Sequence, residues 1–439
     1  MVETALEIRW HAGCSLLHAL KTPPARRLLL AIGALVFVGL AGSAGAAGDE
    51  PAEKRPGLLT RKVRAFLADV DDDKRGLRFG PFTPGMEVVS SGGGLATTLH
   101  FWTPDIAGSG FDIHAAASYS IYHYQHYELQ MGLMPHAENG MPRSERGSNA
   151  LFPLSDLEKT ASAPGFNLYA SAQRRDYPRE DFYGLGPSSL EENHSDYRRK
   201  DGLYEGVVRF RVSRLSLMGR AGWLETSIAP GRDSAIPDTS VTFDQQRAPG
   251  LGQSPDFLHF SAGAWFEGRA DPAHPHRGVS IGLAVSRFDD RRGRAFQFNR
   301  VAVDLREYVP LGSRRHVIAL RQVGAFDHPD EGSRVPFYLQ STLGGSQFLG
   351  GFASSRFRDE NLVALLAEYR FELRPKVELA LIYGAGQVSP SLDALTFNRM
   401  RHSYGVGVRL KSPRRVRLRF DVLHGVEGTH VQVKFGPSF

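Results

Sequence analysis

The sequence predicts an all-β fold, a transmembrane antiparallel β-barrel of about sixteen strands. Three observations lead there. The closing segment THVQVKFGPSF places Val431, Val433, Phe435 and Phe439 on one face of a strand and Gln432, Lys434 and Ser438 on the other. Such a strand meets lipid on one side and a polar lumen on the other, and it ends on the aromatic residue of a barrel assembly signal. Beyond residue 47, no apolar run approaches the ~20 residues that a spanning helix needs. Hydrophobic content of 41% and a mean hydropathy of −0.28 fit a barrel, because half of each spanning strand faces inward. Third, from about residue 85 onward, apolar and polar residues alternate between breaks of Gly, Pro, Asp and Asn.

Taken in order, residues 1–47 form a signal peptide with an upstream extension. Arg26 and Arg27 precede the apolar run Leu28 to Leu40, and Ala44-Gly45-Ala46 has the small-residue pattern of a cleavage site. Residues 48–84 form a periplasmic segment with Leu58, Leu59, Val63, Phe66, Leu67 and Val70 at helical spacing. Residues 85–439 form the barrel. Alternating segments fall near 94–103, 111–122, 124–134, 166–175, 198–212, 214–225, 256–268, 278–288, 295–308, 315–325, 361–373 and 376–386. Further strands surround Tyr404 to Leu410 and Arg415 to Leu423. In the latter, Arg415, Arg417, Arg419 and Asp421 share one face, which suits a hydrated lumen and no soluble core. The polar, Pro- and Gly-rich stretches 136–164 and 227–254 read as long loops on the exposed side.

Composition excludes several classes. Cys14 is the only cysteine and lies upstream of the cleavage site, so an exported chain has no disulfide framework and no thiolate metal site. A net charge of +6 over 439 residues is too mild and dispersed for a nucleic-acid surface, although basic clusters could meet lipopolysaccharide phosphates. His123 and His126 point to opposite faces of a strand, and His274 and His276 lack a third ligand, so no metal is expected. Ser91-Gly92-Gly93-Gly94 lacks the lysine and hydroxyl of a phosphate loop, and no G-x-S-x-G elbow occurs. No catalytic residue and no cofactor are expected.

Several motifs together resemble the surface-antigen barrel of the outer-membrane assembly-factor superfamily, which contains the BamA- and TamA-like proteins. They are Phe182-Tyr183-Gly184-Leu185-Gly186 with Ser189 and Tyr197, Val335-Pro336-Phe337, Leu343-Gly344-Gly345, Leu349-Gly350-Gly351-Phe352, Arg356-Phe357-Arg358-Asp359 and Glu368-Tyr369-Arg370. The resemblance implies a loop, Gly344 to Asp359, that folds into the lumen, with Gly345, Gly350, Gly351, Phe352, Arg356 and Arg358 in it and Glu368 and Arg370 on the anchoring wall. Two departures stand out. Gly350 occupies the place of the family's loop arginine, and Gly384 that of its wall aspartate, so both ends of an expected ion pair are missing together. The loop is expected to fold inward nonetheless, held by close glycine packing and by Arg356 or Arg358 reaching Glu368. Between Ala47 and residue 85 there is also no room for a polypeptide-transport-associated (POTRA) domain.

The resemblance implies a bacterial outer-membrane protein, multi-pass after export, that acts in outer-membrane biogenesis by inserting or translocating proteins or lipids. Its expected partners are outer-membrane lipid and lipopolysaccharide, the barrel-assembly machinery and a periplasmic partner chain; nucleic acid is not among them. A passive or gated solute pore and a surface-exposed interaction module are the alternatives.

Overall fold

The computed structural model describes residues 4–8, 79–88, 93–135, 153–160, 163, 165–411 and 416–435. The cleavage site, the expected helix within 48–84, Arg415 and Phe439 lie outside them. The described strands are β1 (Thr4–Ile8), β2 (Phe82–Val88), β3 (Leu95–Thr103), β4 (Asp112–Ser120), β5 (Gln125–Leu133), β6 (Phe166–Phe182), β7 (Ser195–Val212), β8 (Leu215–Pro230), β9 (Asp256–Glu267) and β10 (Gly278–Asp290). They continue as β11 (Phe298–Leu311), β12 (Ser313–Pro329), β13 (Ser341–Leu343), β14 (Phe357–Asp359), β15 (Asn361–Arg374), β16 (Val377–Ser389), β17 (Arg401–Lys411), β18 (Val416–Gly425) and β19 (Gly428–Phe435). One helix of two turns, α1 (Pro153–Thr160), lies between β5 and β6.

Seventeen strands form one antiparallel sheet. All but β1 follow one another as an up-and-down meander, the barrel, while β13 and β14 pair separately as a small hairpin. β19 pairs with β18 on one edge and with β1 on the other, in a register running from Thr4↔Phe435 to Ile8↔Val431. The first barrel strand starts at Phe82, slightly ahead of the expected residue 85.

The strict alternation follows from what each face meets. On β7 and β8, Tyr204, Val208, Phe210, Leu215 and Leu217 are exposed, and on β10 so are Ile281, Leu283 and Val285. Their neighbours Glu205, Arg209, Arg220, Ser280 and Ser286 point inward and are buried. An apolar exterior over a polar interior inverts the soluble pattern and suits a lipid-facing wall. No described helix is long and apolar enough to cross a membrane, which leaves crossing by strands untouched.

Two expectations change. Counting strands back from β19, the connection 134–165 lies on the same side as the C-terminal end of the barrel, together with the tight turns at 213–214, 312 and 375–376. It is therefore no exposed-side loop; the exposed side carries 183–194, 231–255, 330–360 and 390–400. The lumen, moreover, is packed instead of being an open wet channel. Arg419 and Asp421 are 2% and 4% exposed, and inward charges pair across strands, as in Arg300–Asp327 at 2.6 Å and Arg321–Asp304 at 2.7 Å. Desolvated charges need such partners.

Candidate functional site: the inward loop and its wall

After β12 the chain does not turn back directly. Residues 330–360 enter the barrel, forming a turn at Phe337–Leu339, the β13–β14 hairpin and, at its tip, a turn at Gly345–Gln347 followed by Leu349-Gly350-Gly351-Phe352. Phe337, Leu343, Leu349, Phe352 and Phe357 are fully buried. Gly344 has φ +118°, where a side chain would be strained and would strike the Ala353 carbonyl. This residue lets the chain double back at the hairpin's inner end.

The tip lies against the inner faces of β15 to β19, and small residues on both partners let it. A Cβ at Gly351 would stand 2.6 Å from the Gly425 nitrogen, and one at Gly384 would stand 2.9 Å from Leu349 Cδ2. A Cβ at Gly386 would stand equally close to Leu343 Cδ1. Backbone thus meets backbone, and polar groups join it. The Gly351 N–H donates to Ser403 Oγ at 2.9 Å, Gln432 Nε2 donates to the Gly350 carbonyl at 3.2 Å, and Lys434 donates to the Ser346 carbonyl. Gln432 and Lys434 sit on β19, so the loop grips the last strand.

Gly350 and Gly384 both line one cavity of about 50 Å³, together with Glu368, Ser403, Arg419 and Asp421. The two positions that depart from the family pattern are therefore neighbours in space. The remaining acid finds other partners. Glu368 accepts from Arg370 Nε at 2.8 Å and from Arg409 at 3.1 Å, and Arg409 also pairs with Asp421. Neither loop arginine reaches Glu368, contrary to the sequence expectation.

Arg356 turns instead toward the exposed side. It pairs with Glu427 at 2.8 Å, donates to Ser189 Oγ and to the Ser189 carbonyl, and stacks over Tyr183 and Phe357. Arg358 donates to Tyr197 Oη at 2.9 Å and to the Phe337 carbonyl at 3.0 Å. One arginine thus ties the loop to 183–194 and to the β18–β19 turn, and the other ties it to β7. Sequence reasoning singled out Ser189 with the Phe182–Gly186 motif but missed Glu427 and Ser403, because nothing local marks them; each meets the loop only through the folded barrel.

Phe182, Tyr197, Phe243 and Phe337 form an aromatic cluster with ring centroids 4.8 Å apart in three pairs, which covers the hairpin's outer end. Here Phe182-Tyr183-Gly184-Leu185-Gly186 earns its place. Gly186, at φ +91°, donates its N–H to the Arg358 carbonyl at 2.8 Å. Asp359 and Glu360 sit side by side where the loop rejoins β15. Burial pushes Asp359 up to about 6, and burial with the adjoining Asp359 charge pushes Glu360 up to about 7.

Of the remaining expected residues, Arg417 lies on β18, and Val431 and Val433 lie on β19, alternating with the inward Gln432 and Lys434. His126 points inward while His123 occupies the β4–β5 turn at φ +66°, bonded to exposed Tyr119. His274 bonds to Glu378 at 3.1 Å, and among the described residues no group of three could hold a metal.

The family model described as the Omp85 superfamily domain matches residues 149–429, which contain the inward loop and strands β6 to β18. The chain belongs to the Omp85 superfamily. Among solved structures it is similar to BamA from Haemophilus ducreyi lacking POTRA domains 1-3, at 16% identity and a TM-score of 0.56, covering 88% of this chain and 80% of that one. It also matches CdiB from Acinetobacter baumannii at 10% identity and a TM-score of 0.45, over 78% of this chain and 57% of that one. No curated protein matches it in sequence. As an Omp85 barrel it resides in the bacterial outer membrane.

Proposed function

We propose that this Omp85 barrel acts in outer-membrane biogenesis, inserting or translocating proteins or lipids at the seam beside β19, with the inward loop as the brace that holds the seam-side wall. The observation that carries this reading is the loop's grip on the last strand through Gln432 and Lys434, reinforced on β17 by Ser403. Withdrawing the loop removes these contacts together, which couples lumen opening to loosening of the terminal strand. The outer edge of β19 also accepts an added strand, as its pairing with Thr4–Ile8 illustrates. Should residues 1–47 be removed at export, that edge is left for a client strand. Outer-membrane lipid with lipopolysaccharide and the barrel-assembly machinery are the proposed surroundings, with a periplasmic partner chain supplying client capture.

The packed lumen argues against a standing pore. Conductance in planar bilayers tests the point, with the chain beside a variant lacking Gly344 to Asp359. The reading expects a silent or flickering barrel that opens in the variant. Steady, selective channels from the intact chain would replace it with the pore reading.

A further inference from the structure

We propose that helix α1 is a detachable latch that closes the lumen from the side of the C-terminal end, held by Asp156 and Glu158 on three arginines of the barrel wall. The inference is independent of what the barrel handles. Three observations converge on it. The first is place: α1 belongs to the connection 134–165, yet Leu154 and Leu157 are 1% and 0% exposed and pack within the lumenal cluster that includes Trp265, Ala284 and Phe348. The wall is hollowed to receive them. A Cβ at Gly263 would stand 2.5 Å from Leu157 Cδ1, and one at Gly282 would stand 3.1 Å from Leu154 Cδ2.

The second is charge. Asp156 pairs with Arg220 at 3.2 Å, and Glu158 accepts from Arg306 Nη2 at 2.6 Å and lies 3.6 Å from Arg269. The third is that each of the three arginines also has a carboxylate of the barrel itself, Asp304 being shared with Arg321. Arg220 has Glu205 at 3.5 Å, Arg269 has Glu267 at 2.6 Å, and Arg306 has Asp304 at 2.9 Å, each on a barrel strand. Removing one partner of a buried pair is costly when it strands the other charge. Here departure of α1 leaves each of the three with an acid, Arg306 sharing Asp304 with Arg321, and its two acids pass into water. A sole partner would make the wall depend on the helix far more. At 8 residues, α1 is also far too short to persist alone, so it exists as a helix only while docked.

The test places a thiol beneath the helix. In the full chain with Cys14→Ser, Ala284→Cys becomes the only cysteine, at a position 1% exposed within the cluster that seats α1. Its rate of modification by a small polar maleimide is measured in detergent for three chains, each first shown to be folded by heat-modifiable migration. They are the reporter alone, the reporter with Asp156→Asn and Glu158→Gln, and the reporter with 153–160 replaced by a Gly-Ser segment. The latch predicts slow modification in the first, fast in the third, and in the second a rise of about tenfold, corresponding to about 1.4 kcal/mol of lost pairing. Equal rates in the first and third chains would overturn the closure itself. A second chain as slow as the first, beside a fast third, would overturn the role of the two acids.

Discussion

Gly350 and Gly384, which line one cavity, stand where the family resemblance implies an arginine and an aspartate, a buried ion pair whose two ends would be absent together. An arginine at one position facing nothing at the other would be a buried, unpaired charge, so the two sites are free to change only together. Glu368 is taken up by Arg370 and Arg409 from its own wall. That assigns it a structural role and gives a definite prediction. Glu368→Lys sets a third cation beside these two, leaving Asp421 to Arg409 and the charge of Glu378 to Arg370. The barrel should lose about 3–5 kcal/mol, read as a lower melting temperature in detergent, whereas an unchanged melting point would mean that the cluster contributes nothing. Glu368→Gln, which keeps the shape and part of the hydrogen bonding, should fall between the variant and the parent chain.

At the scale of elements, the inward loop carries its own pH dependence. Asp359, at about 6, and Glu360, at about 7, are raised because burial disfavours their charged forms. A carboxyl whose folded pKa lies above its unfolded value adds stability that is fully present below the unfolded value and is lost as pH rises through the folded one. The loop should therefore be held most firmly at acid pH and loosen between about pH 4 and pH 7 as both groups ionise side by side. Limited proteolysis of the intact barrel should cut within 330–360 faster at pH 8 than at pH 5, and Asp359→Asn should flatten the profile. The reverse trend would refute the assignment. The loop's inward path was legible from its glycines and from its resemblance to a family, but its partners were not. Arg356 meets Glu427 and Ser189 across sequence distances of 71 and 167 residues, which no local pattern encodes. Helix α1 was missed for a different reason. PLSDLEKT has proline at its first position and leucines three apart, a weak helical signal, and lies in a stretch whose polarity reads as loop. Its acids look solvated until the wall arginines are placed opposite them.

Over the whole molecule, the legible part of the chain is the part whose environment is periodic. Lipid lies on one side of every barrel strand and packed polar side chains on the other, so a two-residue period is imposed throughout, and strand positions could be read to within a few residues. The same periodicity makes the cost of a charge depend on depth and face. Leu283 stands near the middle of β10 and Val309 near the end of β11, beside the turn at 312; both are about half exposed, at 50% and 49%. In water, two equally exposed positions would tolerate arginine equally. In a bilayer, Leu283→Arg should cost about 2–4 kcal/mol and Val309→Arg about 0–1 kcal/mol, since the penalty falls from midplane to interface. Urea unfolding in lipid vesicles measures the difference directly. Equal, small effects would mean that this face of β10 is not held in hydrocarbon, whereas the expected gradient would fix the depth of the barrel from two substitutions on its outer surface.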